Sequence, residues 1–260
     1  MRREGWLGAR VLAGIIAAAL AAPFVPAAGA GEAQAPSGAE ILRKVDANLG
    51  SDAKIVVSEM VIHGRRASRS IRSKSWIRGV TQSFTEYLEP AREKGTKMLK
   101  LGDEIWTYTP ATDRIIRISG HLLRQSVMGS DLSYEDMMED PVLGNVYEAA
   151  VVGEETALGR PCWVLELTAK KEDTAYFRRK AWVDRERFVI LGEEMYARSG
   201  KLLKNLEAKS VRRFGSRWVQ DRMVFKDAMK TGDGTEFIIE SMEFDAAIPD
   251  YIFSKASLRR

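Results

Sequence analysis

Short stretches of alternating apolar and polar residues, each closed by a glycine- or aspartate-bearing turn, recur along most of this chain. That pattern allows little besides an antiparallel sheet. β-Branched and aromatic enrichment predicts strands at 54–63, 67–78 and 80–89, with breaks at Gly64 and Gly79 and a stop at Pro90. Three more follow at 96–101, 104–109 and 113–119, turned by Gly102-Asp103 and by Pro110 through Asp113. The alternation resumes at 146–156, 161–170, 175–184, 187–198, 201–214, 217–229 and 235–245. Leu158-Gly159-Arg160, Asp184-Arg185, Ser199-Gly200, Gly215-Ser216 and Gly232 to Gly234 mark the turns between them. About a dozen strands without a repeat period predict one mainly β domain over 37–260, a large curved antiparallel sheet forming an open or half barrel.

Two segments break the alternation. Ser37 to Glu40 forms a capping box, and Ile41, Leu42, Val45 and Leu49 recur at helical spacing before Gly50, predicting a helix over 37–49. Residues 120–140 read as two short helical pieces, with Ser133 as an N-cap, Asp136 three residues on, and Pro141 as the stop. A wide curled sheet encloses a hollow unless something occupies it, so these helices are the candidate plug or lid. Leu122, Leu123, Val127, Met128, Met137 and Met138 offer soft side chains that repack around irregular ligands. Trp76, Phe84, Met98, Trp106, Tyr108, Ile116 and Ile118 are the candidate strand residues for a cavity wall, but the inner face cannot be assigned without the register. The same residues could equally form ordinary core.

The first thirty residues do not belong to this pattern. Arg2, Arg3 and Arg10 precede an apolar run from Val11 to Val25, and Ala28-Gly29-Ala30 supplies a small-x-small site, which predicts a secretory leader over 1–30 cleaved after Ala30. Residues 31–36 then form a short linker. Without Arg2, Arg3, Glu4 and Arg10 the formal charge falls from +4 to +2, which argues against a nucleic-acid partner. One local excess remains: Arg65, Arg66, Arg69, Arg72, Lys74 and Arg78 share one hairpin with no acid from Met60 to Thr85. It reads either as a patch for anionic headgroups or an acidic partner, or as a solvated strand face.

Cys162 is the single cysteine and sits among apolar neighbours, a setting for a buried thiol rather than a nucleophile. Asp131, Glu135, Asp136, Glu139 and Asp140 cluster where a helix N-terminus is expected and lack the calcium-loop order. Glu135 and Asp136 diverge by about 100° on a helix, so they cannot flank one bond as paired acid and base. No nucleophile elbow, phosphate loop, dinucleotide fingerprint or zinc motif occurs, and neither catalysis, cofactor nor metal is expected.

Four strings carry a resemblance: Pro90-Ala-Arg-Glu-Lys-Gly-Thr-Lys-Met-Leu-Lys100, Asp103-Glu-Ile-Trp-Thr-Tyr-Thr-Pro110, Arg114-Ile-Ile-Arg-Ile-Ser119 and Met128-Gly-Ser-Asp-Leu-Ser-Tyr-Glu-Asp-Met137. Together with Ile248-Pro-Asp-Tyr-Ile-Phe253, the chain over about 38–257 resembles the bacterial outer-membrane lipoprotein-sorting proteins, in their LolA-like uncharacterised branch. The resemblance implies a half-closed sheet with a helical lid over an apolar cavity for acyl chains, in a monomer that works in the periplasm without a cofactor. It also implies an inner-membrane transporter and an outer-membrane acceptor as partners. Two other readings stay open: an envelope sensor or transporter accessory subunit on the same fold, and a hydrolase with Ser133 or Cys162 as nucleophile and His121 as base.

Overall fold

The computed structural model describes residues 35–64 and 67–260, so the predicted leader, most of the linker, and Arg65 and Arg66 lie outside the described residues. Pro36–Arg260 form one compact unit. Helix α1 (Gly38–Leu49) carries the expected capping box: the Ser37 hydroxyl accepts from the Glu40 amide while the Glu40 carboxylate takes the Ser37 amide. Thirteen strands follow. They are β1 (Ala53–His63), β2 (Ser68–Arg78), β3 (Gln82–Glu89), β4 (Lys97–Leu101), β5 (Glu104–Thr109) and β6 (Arg114–Ile118), then β7 (Tyr147–Ala157), β8 (Arg160–Ala169), β9 (Arg178–Asp184), β10 (Ile190–Tyr196), β11 (Leu202–Phe214), β12 (Arg217–Asp227) and β13 (Thr235–Phe244). All sit within a few residues of the predicted strands.

The strands make one curved, unclosed antiparallel sheet in the order β6-β5-β4-β3-β2-β1-β13-β12-β11-β10-β9-β8-β7. Two meanders are joined at their first and last strands, β1 pairing with β13 through Met60 opposite Phe237 and Val56 opposite Met242. Register shifts at Val57/Ser58, Arg72/Ser73, Ile190/Gly192 and Ala208/Ser210 add local bends, as bulges do.

This order dictates the lid. Strand β6 ends at one edge of the sheet and β7 begins at the other, so residues 119–146 must traverse a face of the sheet to connect them. The traverse consists of 3-10 turns at Gly120–Arg124 and Val127–Gly129, then α2 (Tyr134–Met138) and α3 (Leu143–Val146). The helical region does not end at Pro141 as expected. The Asp46 carboxylate of α1 accepts from the amides of Leu143 and Gly144, both at 2.9 Å, which starts the extra turn α3.

Both faces of the first meander are covered, by different means. The inner face, on the side of the traverse, buries Met98, Ile105 and Ile118 against Leu122, Leu123, Tyr134, Met137 and Met138. On the outer face, Phe84, Leu99 and Trp106 are sealed by Ile248, Phe253 and Leu258 from two 3-10 turns at Asp250–Phe253 and Lys255–Arg259. Helix α1 packs Ile41, Leu42 and Val45 on the inner face of β7–β9, against Leu165, Leu167, Ala181 and Val183.

Candidate functional site

Between α1 and the traverse the inner face remains unfilled, leaving a partly open cavity of about 460 Å³. Its wall is mostly aliphatic and aromatic. Strands β1–β4 supply Met60, Ile71, Tyr87 and Met98, and strands β10–β13 supply Met195, Leu206, Met223, Phe225 and Phe237. Val45 and Leu49 of α1 close one side, and Val127, Leu132 and Met137 of the traverse another. Five of the ten methionines therefore line this hollow. Small hydroxyl side chains keep part of it open, because Ser73, Ser75 and Thr85 stand where larger residues would fill it. Their hydroxyls are paired across strands: Ser75 with Thr85 at 2.8 Å, and Ser73 with Ser58 of β1 at 3.3 Å.

The register settles which predicted wall residues face inward. Met98 is opposite Thr107, and Leu99 opposite Trp106, so Met98 and Trp106 point to opposite faces of adjacent strands. Of the predicted cavity residues, Met98, Val127 and Met137 line the cavity. Ile118, Leu122, Leu123 and Met138 lie next to it, in the cluster under the traverse, and Met128 packs against Met60, Ile71 and Tyr87. Ile116 is half exposed on the edge strand β6. Trp76, Phe84, Trp106 and Tyr108 do not line the cavity; they belong to the outer face under the C-terminal turns. The wall residues of β10–β13 were not singled out from the sequence. Methionines recurring in strands of both meanders were the one available signal.

The basic hairpin is largely engaged. Arg72 grips Glu240 at 2.8 Å, Arg78 pairs with Asp250 at 2.8 Å and donates to the Ile248 carbonyl, and Lys74 lies 4.9 Å from the Trp76 ring centre. These side chains share the outer face. Arg69 instead donates to the Met128 carbonyl and ties β2 to the traverse.

At the polar end of the cavity, charged side chains clasp α2 to the second meander. Asp136 ion-pairs with Lys204, accepts from the Tyr176 hydroxyl, and takes the Ser133 amide at 2.6 Å. Burial works against its ionisation, but Lys204, the Ser133 amide and Tyr176 outweigh that and hold the carboxyl below its ordinary value. Arg179, 5% exposed, donates to Glu139 at 2.6 Å, to Glu193 at 3.1 Å and to the Tyr147 hydroxyl at 2.8 Å. Burial pushes the Glu139 carboxyl above its ordinary value, and Arg179 only partly offsets this. Burial likewise pushes the Tyr147 phenol up to about 12.

The string Met128 to Met137 is thereby explained. Met128 and Gly129 take positive φ angles of 52° and 72° in a tight turn. Asp131 accepts from the Thr235 hydroxyl at 2.8 Å and from the Asp227 amide at 3.0 Å, pinning the traverse to the β12–β13 hairpin. Ser133 and Asp136 form the capping box of α2. The acids expected to serve a helix N-terminus thus also fasten it to the sheet.

The two candidate nucleophiles of the hydrolase reading, Ser133 and Cys162, are otherwise occupied, while His121 is exposed. The Ser133 hydroxyl donates to Asp136 at 2.9 Å and accepts from its amide, while Cys162 is fully buried, its thiol donates to the Arg160 carbonyl, and burial pushes its pKa up. Among the described residues no group of His, Cys, Asp and Glu is arranged to hold a metal ion, and no helix is long and apolar enough to cross a membrane.

A curved open sheet with a helical traverse over an apolar hollow defines a lipoprotein-sorting type of fold, and comparison with known proteins bears on it directly. A family model described as that of an uncharacterized protein matches residues 79–260. The chain belongs to that family, and its fold is similar to that of solved proteins of the outer-membrane lipoprotein-sorting and LolA-like group. A DUF1329 family protein from Desulfovibrio piger shares 25% identity with a TM-score of 0.77, covering 85% of this chain and 97% of its own. A domain from Vibrio parahaemolyticus described as outer membrane lipoprotein-sorting shares 26% identity with a TM-score of 0.73, covering 86% of this chain and 98% of its own. A LolA superfamily protein from Nitrosomonas europaea, 24% identical with a TM-score of 0.71, covers 86% of this chain and all of its own, and shows the same fold. No curated protein matches the chain.

Proposed function

We propose that this protein is a periplasmic, non-enzymatic carrier that holds the acyl chains of lipids or lipoproteins in the cavity between α1, the traverse and the inner face of the sheet. The unfilled apolar hollow is the observation that carries this reading. At about 460 Å³ it lies within the range of small-molecule sites, roughly 300–1,000 Å³. It is roughly three times an apolar cavity of about 150 Å³ that already accepts benzene. Each methylene moved from water into such a wall contributes about 0.8 kcal/mol, so a dozen carbons yield several kcal/mol after the losses of association. Methionine-rich walls favour adaptable, releasable binding over a rigid fit.

Transport between an inner-membrane donor and an outer-membrane acceptor is the finer part of the proposal. It rests on the family and on the Vibrio parahaemolyticus domain, which is described as lipoprotein-sorting. In this reading the leader 1–30 exports the chain and is removed after Ala30, and residues 37–260 act as one monomeric binding domain. Native mass spectrometry of protein purified from its own envelope is expected to show a co-purifying lipid or acyl mass. Release of that mass to acceptor vesicles distinguishes a carrier from a sensor, which binds without delivering. A protein that neither co-purifies with a lipid nor takes up an acyl probe refutes the proposal.

A further inference from the structure

The cavity does not end at Arg179. A second hollow of about 220 Å³ adjoins it, and Glu139, Asp140 and Arg179 line both. Its remaining wall mixes the polar Glu135, Tyr147, Asp173 and Thr174 with the apolar Met138 and Val146. The two together form an apolar chamber leading into a smaller one of mixed, acid-bearing lining, a shape that suits an amphiphile.

The charge of the polar chamber is unbalanced. Asp136, Glu139, Asp140 and Glu193 line the main cavity and Glu135 and Asp173 the annex, against Arg179 and Lys204. Both cations are committed: Lys204 to Asp136, and Arg179 to Glu139 and Glu193. Lys100, whose ammonium donates to the Met138 carbonyl at 3.3 Å, is the further cation near Asp140 and leaves the excess negative. Glu135, half-buried, and Asp173, exposed at the rim, have no side-chain hydrogen-bond or ion-pair partner among the described residues. Glu193, 5% exposed, gives Oε1 to Arg179, has no partner for Oε2 among the described residues, and lines the main cavity.

From this we infer that the ligand is a long-chain amphiphile whose polar end carries a cationic hydrogen-bond donor, seated in the acid-lined annex with its chain in the main cavity. A carboxylate, sulfate or phosphate head would meet several uncompensated carboxylates there and be rejected. The inference rests on the proposed acyl-chain cavity and adds the chemistry of the head. The cation could belong to a lipid amine or to the basic residues of an acylated peptide; both present the same donor.

The test uses the full processed chain and an uncharged fluorescent reporter, N-phenylnaphthylamine, displaced by twelve-carbon chains below their micelle concentrations. The competitors are dodecylammonium, N-dodecanoyl-Lys-Lys amide, dodecyl maltoside and dodecyl sulfate. The better cationic competitor is expected to displace the reporter at a concentration about tenfold below the sulfate, with the maltoside between. Whichever of the two cations is tighter identifies the lipid or the peptide source. In the double variant Glu135→Gln, Asp173→Asn the order is expected to flatten while reporter affinity stays unchanged, and added salt is expected to narrow the gap in the unaltered chain. Equal potency of all heads, or the sulfate displacing best, overturns the inference while leaving the cavity intact. Failure to bind the reporter at all counts against the cavity instead.

Discussion

The two faces of the first meander are built from the same alternation, yet one is filled by the protein and the other is left hollow. On the outer face the chain returns after β13 and seals Phe84, Leu99 and Trp106 with Phe253 and Leu258. On the inner face the traverse covers only part of the sheet, and Ser73, Ser75 and Thr85 interrupt the apolar wall beside the hollow. The lesson is that apolar content does not distinguish core from ligand site. What distinguishes them is whether the chain carries a segment long enough, and attached at the right edge, to complete the cover.

The attachments of the traverse give the strongest way to test this contrast. Replacing Arg179 with methionine leaves Glu193 and Glu139 without their shared cation in a buried setting, and is expected to destabilise the fold by about 3–5 kcal/mol. Urea unfolding followed by circular dichroism measures it. A loss below about 1 kcal/mol would mean the charges are solvated and the traverse is held by apolar contacts alone.

Next in size are substitutions that treat the two faces alike. Leu258→Ala on the outer side removes a side chain with no exposure and is expected to lower stability by about 2–5 kcal/mol, with reporter binding unchanged. Enlargement discriminates better. Leu99→Trp forces bulk into the filled outer face and is expected to destabilise by about 1–3 kcal/mol. Ser75→Leu projects into the hollow, and is expected to shift stability by less than about 1 kcal/mol while weakening acyl-probe binding about tenfold. If Ser75→Leu destabilises as strongly as Leu99→Trp, the inner face is packed and the distinction between the faces fails.

Much of this was legible in the sequence, and the gaps have physical causes. Strands, turns, the Ser37 cap and the Ser133–Asp136 box are local, so alternation, Gly residues and three-residue spacing reveal them. The pairing of β1 with β13 joins residues some 180 positions apart, and nothing local encodes it. Without that pairing neither the inner face nor the route of residues 119–146 can be deduced, which is why Trp76, Phe84, Trp106 and Tyr108 could be read as cavity wall although they pack under the C-terminal turns. Arg179 and Lys204 were missed for another reason. A charged residue in an alternating strand reads as solvent-facing, whereas both point inward and are buried by pairing with acids of the traverse. The excess of acids between Asp131 and Asp140 was the visible half of those pairs.

The smallest expected effect concerns pH, because two acids three residues apart respond in opposite senses. Asp136 is held below its ordinary value of 3.8, so its contribution to stability is complete above that value and is lost as the pH falls through its folded value. Glu139 is raised above its ordinary 4.5, so the folded state binds its proton more readily than the unfolded chain does. Its charged form therefore opposes folding at neutral pH, and that opposition is relieved as the pH falls toward 4.5. Glu139→Gln is expected to flatten the stability profile of the unaltered chain just above pH 4.5, and Asp136→Asn to flatten it below pH 4. Denaturation midpoints measured across pH 3 to 7 for the three proteins separate the two windows. If Glu139→Gln instead lessens the loss on acidification, Arg179 dominates burial at that carboxyl. The attachment of the traverse would then be a conventional ion pair weakened by acid, and the inner cover would loosen in the pH range where the outer, uncharged seal does not.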